Sequence, residues 1–364
     1  MRVLFALPGL HRFDRGAEIA FIAIAKELAK AGDTVTLIGS GQTRVHAPYR
    51  FLHAASRSRK KFESFPKFPV FRSEFVYEEL SFVGPLLCQY RPSEYDVTVT
   101  CSYPFTNWAL RCTPSRARPP HVFVTQNGDW PAYSNDAEFR FFGCDGLVCT
   151  NPDFYERNKA RWRSRMIPNG VDCDHFRPGT PQRAEFGLPP DRLIVLMVSA
   201  LSPSKRIEVG IEAVSQLADA HLVVAGDGPL GETLDVLGSN RMPGRFTRLS
   251  VHPERMPALY QSADVFLHLA KEESFGNVFV EAMACGLPIV AHDSARLRWI
   301  VGDDQFLHDT ADTTAIAQNI ALARQAPVTE REARAKRVAR FSWSKIGETY
   351  RDFFEEIVKR ARPT

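Results

Sequence analysis

Two successive series of short, β-branched apolar runs alternate with stretches of helical spacing, and few folds other than parallel sheets covered by helices accommodate that pattern. The first series opens at Val3 to Leu7 and continues at Val35 to Ile38, Val97 to Thr100, Val122 to Thr125 and Leu147 to Thr150, each fenced by Pro, Gly, Asp or Asn. Ala17 to Ala31 carries helical spacing and Gly32 stands where a helix would stop, so the chain begins as a βαβ unit. The second series runs Leu193 to Val198, Leu222 to Ala225, Val265 to Leu269 and Pro288 to Ala291, with a helical stripe at Ile207, Ile211, Val214 and Leu217. Met166 to Pro178, rich in turn formers and containing Asn169-Gly170, is the candidate linker between the two series.

The chain's 364 residues suit two domains of roughly 150 residues each. The expected fold class is α/β, with two Rossmann-like parallel-sheet domains at 1–168 and 169–342 and a last helix in 343–364. Ile346, Tyr350, Phe353, Phe354 and Ile357 make that helix amphipathic, so it needs an apolar groove. Lys plus Arg exceed Asp plus Glu by four (46 − 42), too little for a dedicated nucleic-acid binder, and no nucleic-acid partner is expected. Seven cysteines, odd in number and without a Cys-x-x-Cys pair, read as reduced thiols in a reducing compartment. The opening apolar run is too short for a signal peptide, and no stretch offers the roughly 20 apolar residues of a bilayer span. The expected location is therefore cytoplasmic.

Candidate chemistry lies in the loops that follow strands. The first βα loop has Gly9 and Gly16 but no Gly-x-Gly-x-x-Gly, and Gly39-Ser-Gly-Gln42 stands where a dinucleotide enzyme would carry a ribose-binding carboxylate. That disfavours a nicotinamide dehydrogenase. Gly16 reads either as a plain helix-start glycine or as a backbone position that a ligand approaches. Lys205-Arg206, between a buried strand and a helix, puts two cations at the carboxyl edge of a sheet, where an anionic diphosphate would find both charge and helix amides. Taken alone, the pair also reads as solvated surface.

Glu273-Ser-Phe-Gly-Asn-Val-Phe-Val-Glu281 carries the strongest signal. Gly276-Asn277 would open a helix with unpaired N–H groups, and Gly286 would stop it. Eight helical steps would set Glu273 and Glu281 roughly 12 Å and about 80° apart. A hydrolase pair sits at roughly 5 to 9.5 Å. Two carboxylates holding different hydroxyls of one extended ligand, with helix amides on a phosphate between them, fit better.

Together, Glu273-x-Phe-Gly-x4-Glu281, Lys205 in Leu-Ser-Pro-Ser-Lys-Arg, Gly226-Asp-Gly-Pro229, Ile167-Pro-Asn-Gly-Val-Asp172 and Arg15-Gly-Ala-Glu18 resemble the family-four retaining glycosyltransferases of the GT-B fold, over nearly the whole chain. The resemblance implies two Rossmann-like domains facing across a cleft, donor-binding mainly on the second and acceptor-binding on the first, with the last helix returning to the first domain. It implies that Glu281 binds the ribose of a nucleotide-sugar and Glu273 the hydroxyls of the donor sugar. Backbone amides at Phe275, Gly276 and Asn277 would contact sugar and phosphate, with Lys205 and Gly16 on the diphosphate. No cofactor and no metal are expected, because fixed cations and helix-terminal donors stabilise the leaving diphosphate.

Three departures from the family pattern add candidates. Ala200 replaces a usual Arg, so Arg206 is the candidate to supply that charge. A usual His of the first domain is replaced within Thr125-Gln-Asn-Gly-Asp129-Trp, leaving Asn127 as the nearest substitute and Asp129 as an acceptor-side candidate. Arg15 replaces a usual Gly and is a candidate for an anionic acceptor. Glu273, Lys205 and Asn127 are thus the residues assigned to the reaction itself. Asp172-Cys-Asp174 imitates a metal-binding pattern but sits in the linker, and His11, His121, His268 and His292 near strand ends read as polar lining or core rather than as ligands.

Residues 57–72 hold six Lys/Arg against one Glu, interleaved with Phe62, Phe65, Phe68 and Phe71. They read either as a peripheral contact with an anionic membrane, at the inner face of the cytoplasmic membrane, or as a loop whose rings pack on the first sheet. The function expected is transfer of a sugar from a UDP- or GDP-sugar to a saccharide or lipid-linked saccharide in cell-surface polysaccharide or glycolipid synthesis. The alternatives are a nucleotide-sugar epimerase of the same architecture and a non-catalytic sugar-nucleotide-binding partner protein.

Overall fold

Seven strands build the first sheet of this computed structural model: β1 (Arg2–Ala6), β2 (Thr34–Gly39), β3 (Arg50–His53), β4 (Val97–Thr100), β5 (His121–Val124), β6 (Gly146–Cys149) and β7 (Ser164–Met166). Their order is β3-β2-β1-β4-β5-β6-β7 and every pairing is parallel. Six more build a second parallel sheet: β8 (Leu193–Val198), β9 (Ala220–Ala225), β10 (Phe246–Leu249), β11 (Val265–His268), β12 (Ile289–His292) and β13 (Leu307–His308), in the order β10-β9-β8-β11-β12-β13. The structure describes residues 1–112, 114, 118–302, 306–327 and 329–361. Its contacts divide the chain into two units, Met1–Asn169 with the segment from Trp343 onward, and Gly170–Ser342.

Strand order positions the chemistry. In each unit the chain runs outward on one side of the first strand and then crosses to the other side, so a topological switch point falls between β1 and β4 and again between β8 and β11. Ligands of such sheets bind outside the carboxyl ends of the strands at the switch. In the second unit those ends lead into the Lys205 loop and the Glu273 loop; in the first they lead into the Gly16 loop and the segment from Cys101.

The interior strands are apolar because helices cover both faces of each sheet. In the first unit, Val3, Phe5, Val97 and Val99 pack with Phe21, Ile24 and Leu28 of the helix Gly16–Lys30. The last helix, Trp343–Ala361, joins the same core through Ile346, Tyr350, Phe353, Phe354 and Ile357. It packs along Gly16–Lys30 at Gly347, where a Cβ would press on the Glu27 side chain, and Arg351 donates to buried Asp33 at 3.0 Å. The apolar stripe thus has its groove, in the amino-terminal unit.

Candidate active site

In the second unit the loop after β8 is interlocked with the loop after β9. Leu201 N–H donates to the Asp227 carbonyl at 2.9 Å, and Leu230 N–H donates to the Leu201 carbonyl at 3.2 Å. Gly226 adopts φ +150°, and a Cβ there would strike the Ser199 carbonyl. Gly226-Asp-Gly-Pro229 is therefore the seat on which the Lys205 loop rests, and only glycine permits the approach.

Lys205 ends a single 3-10 turn, Pro203–Lys205, and its ammonium forms an ion pair with Glu273. The same Glu273 oxygen accepts a hydrogen bond from His268 Nε2 at 3.0 Å, at the last residue of β11. Burial pushes this carboxyl up, but the His268 hydrogen bond and the Lys205 charge outweigh it and hold Glu273 at about 2. Glu273 is therefore ionised at any physiological pH and fixed from two sides. Arg296, in the helix Ala295–Val301, donates to the Glu273 backbone carbonyl and fixes the loop from a third.

The helix Asn277–Ala284 begins after Gly276, at φ +82°, with no side chain capping it. A Cβ at Gly276 would run into the Phe279 ring, so this entry too requires glycine. Phe275 is buried, its ring within 6.3 Å of Trp299 and 5.6 Å of Phe341, so its side chain belongs to the core. Any contact Phe275 makes with a ligand is a main-chain contact. One turn into the helix, Glu281 accepts a hydrogen bond from the Tyr260 hydroxyl at 2.9 Å, and burial pushes its carboxyl up to about 7. The two carboxylates thus sit in opposite environments, Glu273 held by the Lys205 ammonium and the His268 ring and Glu281 desolvated.

Arg206 departs from expectation. Its guanidinium donates to the Leu269 carbonyl at 3.1 Å and to the Thr310 hydroxyl and carbonyl, both at 2.7 Å. Instead of presenting its charge to a diphosphate, it clamps the Lys205 loop to the ends of β11 and β13. With Arg206 itself at φ +55°, the clamp sets how the helix Ile207–Ser215 departs from the loop.

In the first unit Gly16 is exposed at the uncapped start of the helix Gly16–Lys30. Arg15 is not free for an anionic acceptor: it lies 3.3 Å from Glu78 and 3.7 Å from Glu18, with its guanidinium 4.1 Å from the centre of the Phe13 ring. Asn127 is exposed three residues beyond β5, its amide 4.0 Å from Cys101 Sγ. Asp129, expected on the acceptor side, is instead 1% exposed. Arg157 engages it in a fork at 3.0 and 2.7 Å and Asn158 adds a bond at 2.8 Å, so it is a structural anchor.

Residues 57–72 fold largely onto the helix Glu74–Gln89. Phe62, Phe65 and Phe71 place their rings 5.5, 5.2 and 4.8 Å from that of Tyr77, Arg59 binds buried Glu78 at 2.6 Å, and Arg72 binds Glu138 at 2.8 Å. Phe65 and Phe68 remain exposed. Among the described residues no helix is long and apolar enough to cross a membrane, and no cluster of three or more His, Cys, Asp or Glu could hold a metal ion.

Sequence reasoning missed His268, Tyr260 and Arg296 as partners of the two carboxylates. A polar residue closing an otherwise apolar buried strand, Val265-Phe-Leu-His268, was the one local hint among them.

The family model "Glycosyl transferases group 1" matches residues 180–340, and "Glycosyltransferase Family 4" matches residues 15–175. The D-inositol 3-phosphate glycosyltransferase of Mycolicibacterium smegmatis is 34% identical over 203 residues, covering 51% of this chain and 46% of that protein. Its counterpart in Xylanimonas cellulosilytica is 31% identical over 218 residues, covering 54% and 52%. The chain thus spans about half the length of the curated relatives it matches. Among solved structures, a sucrose-phosphate synthase from Thermosynechococcus elongatus superposes with a TM-score of 0.79 at 20% identity, covering 99% of both chains. Anabaena Alr3699/HepE in complex with UDP-glucose superposes with a TM-score of 0.73 at 19% identity, covering 98% of this chain and all of that one (100%).

Proposed function

The chain belongs to the family-four, group 1 glycosyltransferases, and from that premise we propose that it is a retaining, metal-independent transferase. It moves a sugar from a UDP- or GDP-sugar to a saccharide or lipid-linked saccharide acceptor, in cell-surface polysaccharide or glycolipid synthesis. The observation that carries this reading is the Lys205–Glu273–His268 cluster at the switch point of the second unit, beside the uncapped helix start at Asn277.

In this reading Glu273, held ionised, accepts hydrogen bonds from hydroxyls of the donor sugar. Lys205 and the amides at Phe275, Gly276 and Asn277 meet the diphosphate and the sugar. As the anomeric C–O bond breaks, negative charge grows on the leaving nucleoside diphosphate, and groups already aimed there stabilise the transition state more than the ground state. The leaving phosphate takes the proton of the incoming acceptor hydroxyl, so no protein base is needed. Glu281 accepts from the ribose hydroxyls, Gly16 offers amides to phosphate at its own helix start, and Asn127 is assigned to the transferring sugar. Arg206 acts as a positioning residue for the Lys205 loop.

A thermal-shift panel of UDP-, GDP- and ADP-sugars with their free diphosphates tests the reading. A ligand present at 100 times its Kd adds about 2.7 kcal/mol to the native state. Stabilisation by one base, lost in Glu281→Ala, is expected. Absence of any shift would overturn the nucleotide-sugar reading, stabilisation without consumption of the donor would favour the non-catalytic binding partner, and conversion of the nucleotide-sugar to its epimer would replace the transferase reading altogether.

A further inference from the structure

A cavity of about 570 Å³ opens within the first unit, at the carboxyl ends of β4 and β5, where Cys101 and Asn127 form part of its wall. This volume falls in the range that takes drug-sized ligands. Its lining is dominated by rings: Phe75, Tyr103, Phe123, Trp130, Tyr133 and Phe139. Trp130 is 50% and Tyr133 42% exposed, unusual for large rings without a partner to cover them.

Both rings are held in place. Gly128, at φ +113°, leaves space that the Trp130 ring occupies, and a Cβ there would collide with it. The Arg157 guanidinium lies 4.6 Å from the centre of the Tyr133 ring and is itself anchored by buried Asp129. Asp129 therefore serves this wall indirectly, as a positioning residue. The 57–72 segment supplies another wall through Arg59, Val70 and Arg72.

Charge decides what the cavity can hold. Among the described residues its only lining cations, Arg59 and Arg72, are each committed to a carboxylate, Glu78 at 2.6 Å and Glu138 at 2.8 Å, and Asp136 adds negative charge to the same wall. A phosphate or carboxylate entering here would lose its hydration and meet no uncompensated cation. Aromatic faces instead suit the C–H face of a sugar ring and an apolar substituent beside it.

We propose that this cavity is the acceptor site, and that it selects an uncharged glycoside whose sugar ring stacks on Trp130 and Tyr133 while an apolar aglycone fills the aromatic interior. The word acceptor rests on the transferase reading above; the cavity and its chemistry do not. Saturation-transfer NMR titrations of the whole chain with phenyl β-D-glucopyranoside, glucose and glucose 6-phosphate test it, with UDP affinity measured on the same samples.

The phenyl glucoside is expected to bind about tenfold more tightly than glucose, with glucose 6-phosphate no tighter than glucose. Trp130→Ala is expected to weaken the phenyl glucoside by about tenfold, the cost of one lost stacking contact. Trp130→Phe should recover most of it, and UDP affinity should not change in either variant, which also shows that the variants are folded. Tightest binding by glucose 6-phosphate, or an affinity indifferent to Trp130→Ala, would overturn the proposal. Glycoside binding in a protein that does not bind UDP would support the site and overturn only its assignment as an acceptor site.

Discussion

Replacing Glu281 by Gln is expected to raise the stability of the second unit at alkaline pH while abolishing nucleotide binding. Burial shifts this carboxyl from an ordinary 4.5 to about 7, against the pull of the Tyr260 hydroxyl. At about 1.36 kcal/mol per unit, keeping the carboxylate inside the fold costs about 3 kcal/mol once folded and unfolded forms are both ionised. Between pH 4.5 and about 7 the native state binds more protons than the unfolded chain, so this part of the stability is intact below 4.5, declines as pH rises and is lost above 7. Gln does not titrate and escapes the decline. Urea unfolding of both proteins near pH 4.5 and well above 7, followed through hydrogen exchange of β8 and β11 amides, measures it. The stability difference between the two proteins should change by about 3 kcal/mol across that interval, in favour of the variant. Glu79, in the first unit and also pushed by burial to about 7, titrates in the same window but does so in both proteins and cancels. A difference that does not vary with pH, or a variant less stable at alkaline pH, would refute the buried-charge argument. A gain in stability together with a loss of ligand is the signature of a residue kept for binding.

Lys205→Met removes the cation proposed to face the leaving group and should lower turnover by about 10²- to 10³-fold in a steady-state transfer assay; undiminished turnover would remove Lys205 from the mechanism. Glu273 lies below its ordinary value, so its contribution to stability is present above pH 4.5 and is lost as pH falls towards about 2. Acid unfolding of Glu273→Gln should lack that limb, and matching acid titrations of the two proteins would contradict the His268 and Lys205 compensation. Gly226→Ala forces a Cβ against the Ser199 carbonyl at φ +150°, and should cost about 1 to 3 kcal/mol in thermal unfolding with weaker UDP binding. An unchanged melting temperature would show that the two loops are not interlocked.

How much of this architecture is legible in the sequence depends on where each element lies. Every interior strand, β2, β1, β4, β5 and β6 in one sheet and β9, β8, β11 and β12 in the other, coincides within a few residues with an apolar run. All four edge strands were missed: β3 (Arg-Phe-Leu-His), β7 (Ser-Arg-Met), β10 (Phe-Thr-Arg-Leu) and β13 (Leu-His). An edge strand has one hydrogen-bonded neighbour and more solvent, so it carries cations and polar residues that dilute the signal. Composition alone left 57–72 open between a membrane contact and a packed loop; in the structure Phe62, Phe65 and Phe71 find Tyr77, while Arg59 and Arg72 find Glu78 and Glu138.

By itself the sequence determined the two parallel-sheet units, the linker between them, the loops that carry Lys205 and Glu273, and the glycines at the helix start. Each of these depends on periodicity or backbone conformation, properties of near neighbours in the chain. Only the tertiary structure decided which charges are available. Lys205 meets Glu273 across 68 residues and Arg206 is consumed by Thr310 across 104, while Asp129 disappears beneath Arg157. The aromatic cavity has the same origin, its walls drawn from segments around residues 59, 75, 103 and 130. An ion pair forms between whichever side chains packing brings within a few ångströms, and that proximity is set by strand order, which no local pattern records.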